Sequence, residues 1–286
     1  MEGRAVLYSI YMTGQDPKRE KNMSLKKGAD TSWNAVAGWY DALIEKDDDT
    51  YQTKVILPNI LRAMGIKEGT KVLDVACGQG FFSRAFRASG AEVAGVDLAS
   101  ALIELAKKQS PKEIRFFVRS AEDLAVFQDG YFDKVVIVLA IQNMEAPHKV
   151  FKECSRVLAP GGRLYLVMNH PAFRVPKASA WGFDDEAKTQ YRRIDRYMSE
   201  SKSEIDMNPG RFAGKKETTT VSFHRPLQYY FKTLANSGFV VARLEEWLSH
   251  RASEKGPRQD AEDRARKEIP LFLFLEAEKR EKLLEA

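Results

Sequence analysis

The chain has 286 residues, of which 44% are hydrophobic and 30% are charged, and its formal net charge is +5. This composition is typical of a soluble globular protein, and the apolar runs are too short to span a bilayer. The two cysteines, Cys77 and Cys154, do not form a disulfide framework, so we expect a cytoplasmic protein in a reducing compartment. The mild positive charge favours a solvated basic surface over nucleic-acid binding.

The beginning of the chain is predicted to lie outside the folded domain. Residues 1–30 are polar after a short apolar patch, with no basic cluster and no clear small-residue cleavage site. These features argue against a signal peptide. We therefore predict a flexible tail over 1–30 and a single domain over 31–286.

Two helices are predicted at the start of this domain. The first is Ser32–Ile44, in which Trp33 and Tyr40 lie on one helical face at a spacing of seven residues. The second is Tyr51–Met64, which we expect to be bent at Pro58 or to begin there, because proline disrupts a helix interior.

A strict alternation of strands and helices follows. The predicted strands are Lys71–Ala76, Glu92–Asp97, Ile114–Val118, Phe132–Leu139 and Arg163–Met168, and the predicted helices are Phe81–Ser89, Ala101–Lys108 and Lys149–Leu158. Alternation with short connections predicts an α/β fold with a doubly wound, mostly parallel sheet.

The alternation stops after the fifth strand. Residues 169–225 mix aromatic and charged side chains and are interpreted as an insertion or cap, in which Thr218–Phe223 alternates like an edge strand. A helix is then predicted from Pro226 to a stop at Gly238.

Two further strands are predicted near the end of the chain. They are Phe239–Trp247 and Leu271–Glu278, separated by the charged loop Ser249–Glu268, which has some helical potential. Because no long helical crossover joins these strands, we expect the last of the seven strands to run antiparallel.

The segment Asp74–Gly80 (DVACGQG) carries the strongest functional signal. It ends a buried strand and opens a helix, which is where a nucleotide-like cofactor lies in an α/β sheet. A dinucleotide site requires Gly-x-Gly-x-x-Gly or Ala, but Gly78 and Gly80 are followed by two phenylalanines and Ser83, so this match is weak. S-adenosylmethionine is the alternative, because Asp74 at the strand tip can pair with its ammonium group, directly or through water.

Asp97 closes the second predicted strand and can accept hydrogen bonds from both ribose hydroxyls of an adenosine ligand. This role fits either cofactor, so Asp97 does not distinguish them. The place of Asp97 in the pattern favours the ribose role over an ordinary loop carboxylate at the end of a strand. Leu98 would pack on the adenine ring, and the segment Ser120–Asp123 follows the third strand and can reach the adenine edge.

Five segments share a pattern with one known family. They are VLDVACGQG from Val72, GVDLA from Gly95, SAEDL from Ser120, FDKVV from Phe132 and RVLAPGG from Arg156. On these segments, residues 71–168 resemble a class I S-adenosylmethionine-dependent methyltransferase, of the subgroup that includes ubiquinone/menaquinone-type and other small-molecule enzymes. The resemblance covers about a third of the chain.

The resemblance implies both a fold and a set of site residues. The fold is a Rossmann-like methyltransferase fold with seven strands, the last antiparallel, in which 71–168 binds the cofactor and the inserted cap 169–225 covers the acceptor. The implied cofactor contacts are Tyr40, Asp74, Ala76, Gly78, Gly80, Asp97, Leu98, Ser120, Ala121, Glu122 and Leu139.

The chain departs from the family pattern at two positions. Ala76 replaces the first glycine of the turn, a change that adds one methyl group. Ser120 stands where the family usually has an acid that contacts the adenine amino group, so its hydroxyl, Glu122 or Asp123 is expected to take that place. An aromatic residue of the first helix, Trp33 or Tyr40, is expected to close over the cofactor, although core packing explains Trp33 equally well.

Methyl transfer from a sulfonium is an in-line displacement that yields S-adenosyl-L-homocysteine and requires no metal. A base is needed only if the acceptor must lose a proton. His170, directly after the fifth strand, and His224, just before the late helix, are the candidate catalytic residues, and each also fits a structural role. Gln142 and Asn143, after the fourth strand, are expected either to orient a substrate or to cap a helix.

The cap is the expected acceptor site. Its aromatic and basic residues suit a planar or anionic small molecule. They include Trp181, Tyr191, Arg192, Arg193 and Arg196. The same residues also suit RNA, so an RNA methyltransferase is the second hypothesis, and a non-catalytic cofactor-binding protein is the third.

Overall fold

The computed structural model describes residues 32–46, 49–207 and 219–280. The predicted flexible tail, 1–30, lies outside these ranges. Within them, no helix is both long enough and apolar enough to cross a membrane.

The described residues form seven α-helices and eleven strands. The helices are α1 (Ser32–Lys46), α2 (Leu57–Met64), α3 (Phe81–Ala88), α4 (Ser100–Gln109), α5 (Pro147–Val157), α6 (Leu227–Asn236) and α7 (Gln259–Glu268). The strands are β1 (Lys71–Val75), β2 (Glu92–Asp97), β3 (Arg115–Val118), β4 (Phe132–Val138), β5 (Leu158–Asn169), β6 (Ser179–Asp184), β7 (Thr189–Ile194), β8 (Ser201–Asp206), β9 (Thr219–His224), β10 (Phe239–Trp247) and β11 (Phe272–Lys279).

Seven of the strands build one sheet in the order β10-β11-β5-β4-β1-β2-β3. Strands β1 to β5 are parallel, whereas β11 runs antiparallel to both of its neighbours, β5 and β10. The predicted doubly wound sheet with an antiparallel last strand is therefore confirmed. The strand order reverses between β1 and β4, and the crevice at the carboxyl ends of these two strands is where such sheets bind ligands.

Both faces of the central strands of the sheet are buried. On β1, Val72 belongs to the core beneath α2, α3 and α4, while the next residue, Leu73, belongs to the core beneath α5 and α6. Successive strand residues point to opposite faces, so the apolar run of a central parallel strand fills two cores at once. Each fully buried large aliphatic side chain stabilises the fold by roughly 1.5–3 kcal/mol relative to an exposed one.

The helix predicted over Tyr51–Met64 is divided in two. A π-helical turn, Gln52–Ile56, precedes α2, and Leu57 N donates to Gln52 O across the wider turn. Pro58 lies in the first turn of α2. Proline lacks an amide hydrogen and crowds the preceding turn, and the α-helix accordingly begins beside Pro58, which is the second of the two predicted alternatives.

Strand β5 begins earlier than predicted, at Leu158 instead of Arg163. Leu158 pairs with Phe132 on β4, and the register then shifts before Arg163 pairs with Lys134. The intervening Pro-Gly-Gly segment therefore forms an irregularity within the strand, which is a usual place for these residues in a sheet.

The cap contains two antiparallel strand pairs, β6–β7 and β8–β9, where the sequence predicted a single edge strand. On β7, polar and charged residues alternate between exposed and half-buried positions. Arg192 shows how a charged residue fills such a position, because its guanidinium lies 5.2 Å from the ring centre of Trp181. An apolar-only pattern misses strands that are packed by arginine side chains.

Part of the predicted charged loop Ser249–Glu268 forms α7. Ala261 and Ala265 are its two buried residues and lie one helical turn apart. Two alanines give a weak periodic signal in the sequence, although acidic residues in the first turn and basic residues in the last turn favour the helix dipole.

The close contact between β2 and the glycine turn can be tested at Gly95. A β-carbon built on Gly95 would lie 2.7 Å from Phe116 Cδ1 and 2.9 Å from Cys77 Sγ. We expect Gly95→Ala to lower the free energy of unfolding by about 1–3 kcal/mol through overpacking, as measured by urea denaturation.

Gly256→Ala is the matched control, because nothing lies within 4 Å of a β-carbon at that position. Its stability should stay within about 0.5 kcal/mol of wild type. Equal losses in the two variants would contradict the packing described around Gly95.

Candidate functional site

The glycine turn leads the chain from β1 into α3. Cys77 N donates to Val96 O over 3.0 Å, and Gly80 N donates to Cys77 O over 3.0 Å. Gly78 and Gly80 have φ angles of 57° and 86°, which favour glycine. The turn is thereby held against the end of β2 and leaves its backbone at the mouth of the crevice.

Asp97 is fixed against this turn by two backbone amides. Its Oδ2 accepts a hydrogen bond from Gly78 N at 2.9 Å, and its Oδ1 accepts one from Ala99 N at 2.8 Å. Burial raises the pKa of Asp97, and the two amides oppose the shift because they favour the ionised form. Each oxygen keeps lone-pair capacity for a further donor.

Asp74 lies inside the protein at the end of β1, with an exposed fraction of only 2%. Its Oδ2 accepts a hydrogen bond from Ser83 Oγ at 2.6 Å. Burial raises the pKa of Asp74 to about 7, the Ser83 hydroxyl opposes this rise, and repulsion from Asp97 adds to it. The two carboxylates are therefore close enough to interact, and Asp74 changes charge near neutral pH.

Backbone strain is present on both sides of the crevice. Ala76, after β1, has a φ of 59°, and Leu139, after β4, has a φ of 52°. Left-handed backbone costs a residue with a β-carbon roughly 1–2 kcal/mol. Leu139 is held there by its own amide, which donates to Val167 O at 2.8 Å, and by Gln142 Nε2, which donates to Leu139 O at 2.7 Å.

The predicted adenine-binding residues follow β2 and β3. Leu98 is 57% exposed, which is unusual for a leucine beside a buried core and leaves it open to a planar ligand. Ser120 Oγ accepts a hydrogen bond from Glu122 N, and the Glu122 carboxylate pairs with Lys149 at 3.3 Å. Ala121 packs partly against the core.

Helix α1 is held over the start of α4, beside Asp97. Asn34 Oδ1 accepts a hydrogen bond from Ala101 N at 3.0 Å. Ala37 packs with Ala99 and Leu102, and Trp33 lies against the same group. Trp33 thus takes part in packing, while the side chain of Tyr40, the other predicted aromatic contact, lies outside the described part of the chain.

The β8–β9 pair forms a roof next to the tip of β4, where β9 packs against a 3₁₀ turn, Ile141–Asn143. Asn143 Nδ2 donates to Val221 O of β9 at 2.7 Å. Asn143 therefore neither caps a helix nor faces open solvent, but joins the roof to the sheet.

Arg225 makes a second link between the roof and the sheet. Its Nη2 donates to Glu145 O at 2.8 Å, and its guanidinium lies 4.8 Å and 5.2 Å from the rings of Phe223 and Tyr229. Sequence reasoning did not select this residue. Its position between aromatic residues, directly before Pro226, was the available signal.

His224 is the last residue of β9, one of the two roof strands, and it is buried. Its Nε2 hydrogen-bonds to Tyr197 O at 2.7 Å, and because a carbonyl only accepts, Nε2 carries the proton. Within the described ranges, Nδ1 has no hydrogen-bond partner. Burial lowers the pKa of His224, so the ring is neutral at physiological pH with its basic nitrogen at Nδ1.

His170, the other predicted catalytic histidine, is engaged at both ring nitrogens. Nδ1 accepts from Ala172 N at 3.2 Å, and Nε2 lies 2.7 Å from Glu246 Oε1. Burial lowers the pKa of His170, against the opposing effect of Glu246. These contacts give His170 a structural role at the β5–β10 end of the sheet, and its catalytic role stays a prediction.

The predicted residues of the glycine turn and strand tips are brought together at one edge of the sheet. They are Asp74, Ala76, Gly78, Gly80, Asp97, Leu98 and Leu139. Among the described residues, no group of three or more His, Cys, Asp or Glu side chains is arranged to hold a metal ion.

The central part of the chain matches known sequences. Residues 73–166 match a family described as a methyltransferase domain. Ubiquinone biosynthesis O-methyltransferases of Xanthomonas oryzae and Xanthomonas campestris are each 38% identical over 101 residues, which is 34% of this chain and 42% of the relative. The chain thus matches less than half of the length of these relatives.

Solved structures match a larger share of the chain. An S-adenosylmethionine-dependent methyltransferase from Mesorhizobium loti has a TM-score of 0.60 and 26% identity, over 77% of this chain and 96% of that one. A protein of the same description from Listeria monocytogenes, called putative there, has a TM-score of 0.61 and 22% identity, over 79% and 97%. The Listeria likeness supports the fold alone. The predicted resemblance to class I S-adenosylmethionine-dependent methyltransferases is confirmed.

The strain at Ala76 gives a testable expectation. Glycine adopts a φ of 59° without penalty, so Ala76→Gly should relieve roughly 1–2 kcal/mol of strain, against an entropic cost of about 0.4–1 kcal/mol in the unfolded chain. We expect the free energy of unfolding, measured by urea denaturation, to stay equal or to rise.

Ala85→Gly, inside α3, is the matched control and should lower the free energy of unfolding by about 1 kcal/mol. A loss of the same size at Ala76 would show that the turn carries no such strain.

Proposed function

We propose that this chain transfers a methyl group from S-adenosyl-L-methionine to a small-molecule acceptor. The supporting observation is the arrangement at the tips of β1 and β2, where Asp97 is fixed by Gly78 N at 2.9 Å and Asp74 is buried nearby. An acid at each of two neighbouring strand tips, around a glycine turn, fits a ligand with ribose hydroxyls at one end and an ammonium at the other.

The residues present fit the cofactor from end to end. Asp97 would accept hydrogen bonds from both ribose hydroxyls, and the exposed Leu98 would cover one face of adenine. Asp74 would face the ammonium group, and Ser120 and Glu122 would reach the adenine edge. When bound, S-adenosylmethionine supplies an electrophilic methyl group and leaves as a neutral thioether, S-adenosyl-L-homocysteine.

His224 is the proposed proton acceptor. Its Nε2–H is committed to Tyr197 O, which fixes the ring orientation and leaves the Nδ1 lone pair as the base. Its lowered pKa keeps Nδ1 unprotonated, so it can take the proton that an O–H or N–H acceptor loses when its bond to the methyl carbon forms. His170 would support the site by holding the end of β5.

The proposed acceptor is a small molecule held under the cap, residues 169–225. The matching ubiquinone biosynthesis O-methyltransferases favour an oxygen as the accepting atom. Aromatic and arginine side chains of the cap suit a planar or anionic molecule. The buried free thiols Cys77 and Cys154 support a cytoplasmic location, which is also a proposal.

Equilibrium binding of S-adenosylhomocysteine, measured by titration calorimetry, tests the cofactor site. Wild-type protein should bind it in the micromolar range. Asp97→Ala removes two charge-assisted hydrogen bonds to the ribose and should weaken binding by on the order of 100-fold.

Asp185→Ala is the control, since this carboxylate is exposed on the cap, and its affinity should match wild type. No binding to wild-type protein at millimolar ligand would exclude the proposed function.

The proposed contact of Asp74 with the ammonium predicts a pH dependence. Because the pKa of Asp74 is about 7 in the free protein, the carboxyl is mostly protonated at pH 5.5 and must lose its proton to pair with a cation. Affinity for S-adenosylhomocysteine should therefore rise with pH between 5.5 and 7, by up to about tenfold per unit, and level off above 7.

Calorimetry in buffers of different ionisation enthalpy should show a proton released on binding below pH 7. Asp74→Asn keeps an oxygen that can accept from Ser83 but cannot ionise, so both effects should disappear. An unchanged pH profile in this variant would exclude the ammonium contact.

A further inference from the structure

Strand β10 is one edge of the seven-stranded sheet, and among the described residues no strand pairs with its outer side. Trp247 O accepts a hydrogen bond from Leu271 N on the β11 side. Backbone groups alternate between the two sides of a regular strand, so the amide and carbonyl of Leu244, three residues earlier, point to the outer side. An edge of this kind is a template for a further strand.

The surface beside this edge is rich in apolar side chains. Within the described ranges nine large hydrophobic residues are exposed, and four of them lie on β10, directly after it, or on α6, which packs against it. They are Phe231 (37% exposed), Val240 (44%), Leu244 (41%) and Leu248 (40%). Their concentration at one edge of the sheet indicates an interaction surface, since single exposed apolar residues are usually scattered.

The two faces of β10 differ in character. Leu244 pairs with Leu275, which belongs to the core beneath α5 and α6, so Leu244 lies on the α6 face. Arg243 and Glu245 lie on the opposite face, where each contacts α2. The register with β11 shifts at Ala242, which forms a β-bulge and limits the regular part of the edge to the residues after it.

A second copy of β10 fits this edge in one register only. Two copies related by a two-fold axis pair antiparallel, and directly opposite residues share a face, so the axis passes through a residue and not between two. In the run between the bulge and the buried Trp247, an axis at Arg243, Glu245 or Glu246 would set like charges opposite each other. Like charges in directly opposite positions are destabilising.

An axis at Leu244 has the opposite effect. It sets Leu244 against its own copy on the apolar α6 face. On the α2 face it sets Arg243 against Glu245 of the partner subunit, and symmetry repeats this pair. Apolar and charged residues of the strand are therefore complementary to the same strand in reverse direction, which a two-fold interface requires.

We propose that β10 is an interface through which two copies of this chain form a two-fold dimer, with Leu244 on the axis and the sheet continuing from one subunit into the other. Main-chain hydrogen bonds, the apolar contact on the α6 face and the two ion pairs on the α2 face hold the subunits together. The bulge keeps the ladder short, so we expect a dissociation constant on the order of 10 µM. This inference does not depend on the proposed function.

Sedimentation velocity of the full chain tests the interface. Wild-type protein should change from monomer to dimer as its concentration rises from about 1 to about 200 µM. Leu244→Glu places two carboxylates against each other on the axis and should raise the dissociation constant by at least about tenfold.

Val118→Glu is the matched control, because Val118 is 47% exposed and lies on β3, the strand at the other edge of the sheet. This variant should dimerise like wild type. A wild-type protein that stays monomeric at the highest concentration would overturn the proposal, and so would a Leu244→Glu variant that dimerises like wild type. Loss of the dimer in Val118→Glu alone would assign the interface to β3 and also overturn it.

Cross-linking tests the register without relying on the stability of the charged variant. In Leu244→Cys the α-carbons of the two copies should lie about 5.5 Å apart, as in a hydrogen-bonded antiparallel pair, which is within disulfide range. Oxidised glutathione should therefore link the two subunits at concentrations where the dimer is populated. The native cysteines, Cys77 and Cys154, are buried and should not compete.

Leu248→Cys is the control, because residue 248 has a similar exposure but should lie about 27 Å from its own copy, eight residues along the strand direction. It should not form a cross-link. Equal cross-linking of the two cysteine variants, or none in Leu244→Cys, would overturn the proposal.

Discussion

The hydrogen bonds that join Asp97 to the glycine turn organise the whole site. Through Gly78 N and Ala99 N, one carboxylate ties the end of β2 to the loop after β1 and to the start of α4. The backbone amides stabilise the ionised carboxylate, whereas burial favours the protonated form. Burial is the larger effect, so the pKa of Asp97 is raised. Asp74 is buried nearby and accepts hydrogen bonds from Ser83, but burial is the larger effect and raises its pKa to about 7.

Two residues at the crevice adopt a backbone conformation that residues with a β-carbon disfavour. Ala76 and Leu139 adopt left-handed backbone at the ends of β1 and β4, the two strands between which the strand order reverses. At Leu139, hydrogen bonds to Val167 O and from the Gln142 side-chain amide offset the energetic cost of this conformation. Left-handed backbone at Leu139 and a buried oxygen, Gln142 Oε1, with no hydrogen-bond partner among the described residues occur together at the tip of β4, where the sheet meets the roof.

The sequence was most informative where a single period dominates. The parallel strands, the helices between them and the glycine turn followed from apolar runs and turn residues, and strand β2 was predicted to the residue. The strand pairs of the cap were not predicted, because β7 packs through the side chain of Arg192 and lacks an apolar period. Arg225 was missed because its contact is to a loop that is distant in sequence. Likewise, no sequence pattern predicts that both ring nitrogens of His170 have hydrogen-bond partners, while His224 Nδ1 has none within the described ranges. Tertiary structure decides the burial and the partners of each ring.

The position of β11 has a consequence for how the molecule assembles during translation. This strand follows every other described strand in the chain, yet it lies in the interior of the sheet and is paired along both edges, with β5 and with β10. Until it leaves the ribosome, β5 presents an unpaired edge and β10 has no connection to the sheet. The nascent chain therefore carries an open, apolar edge from the completion of β5 at Asn169 until β11 follows at Phe272, and such an edge favours mispairing.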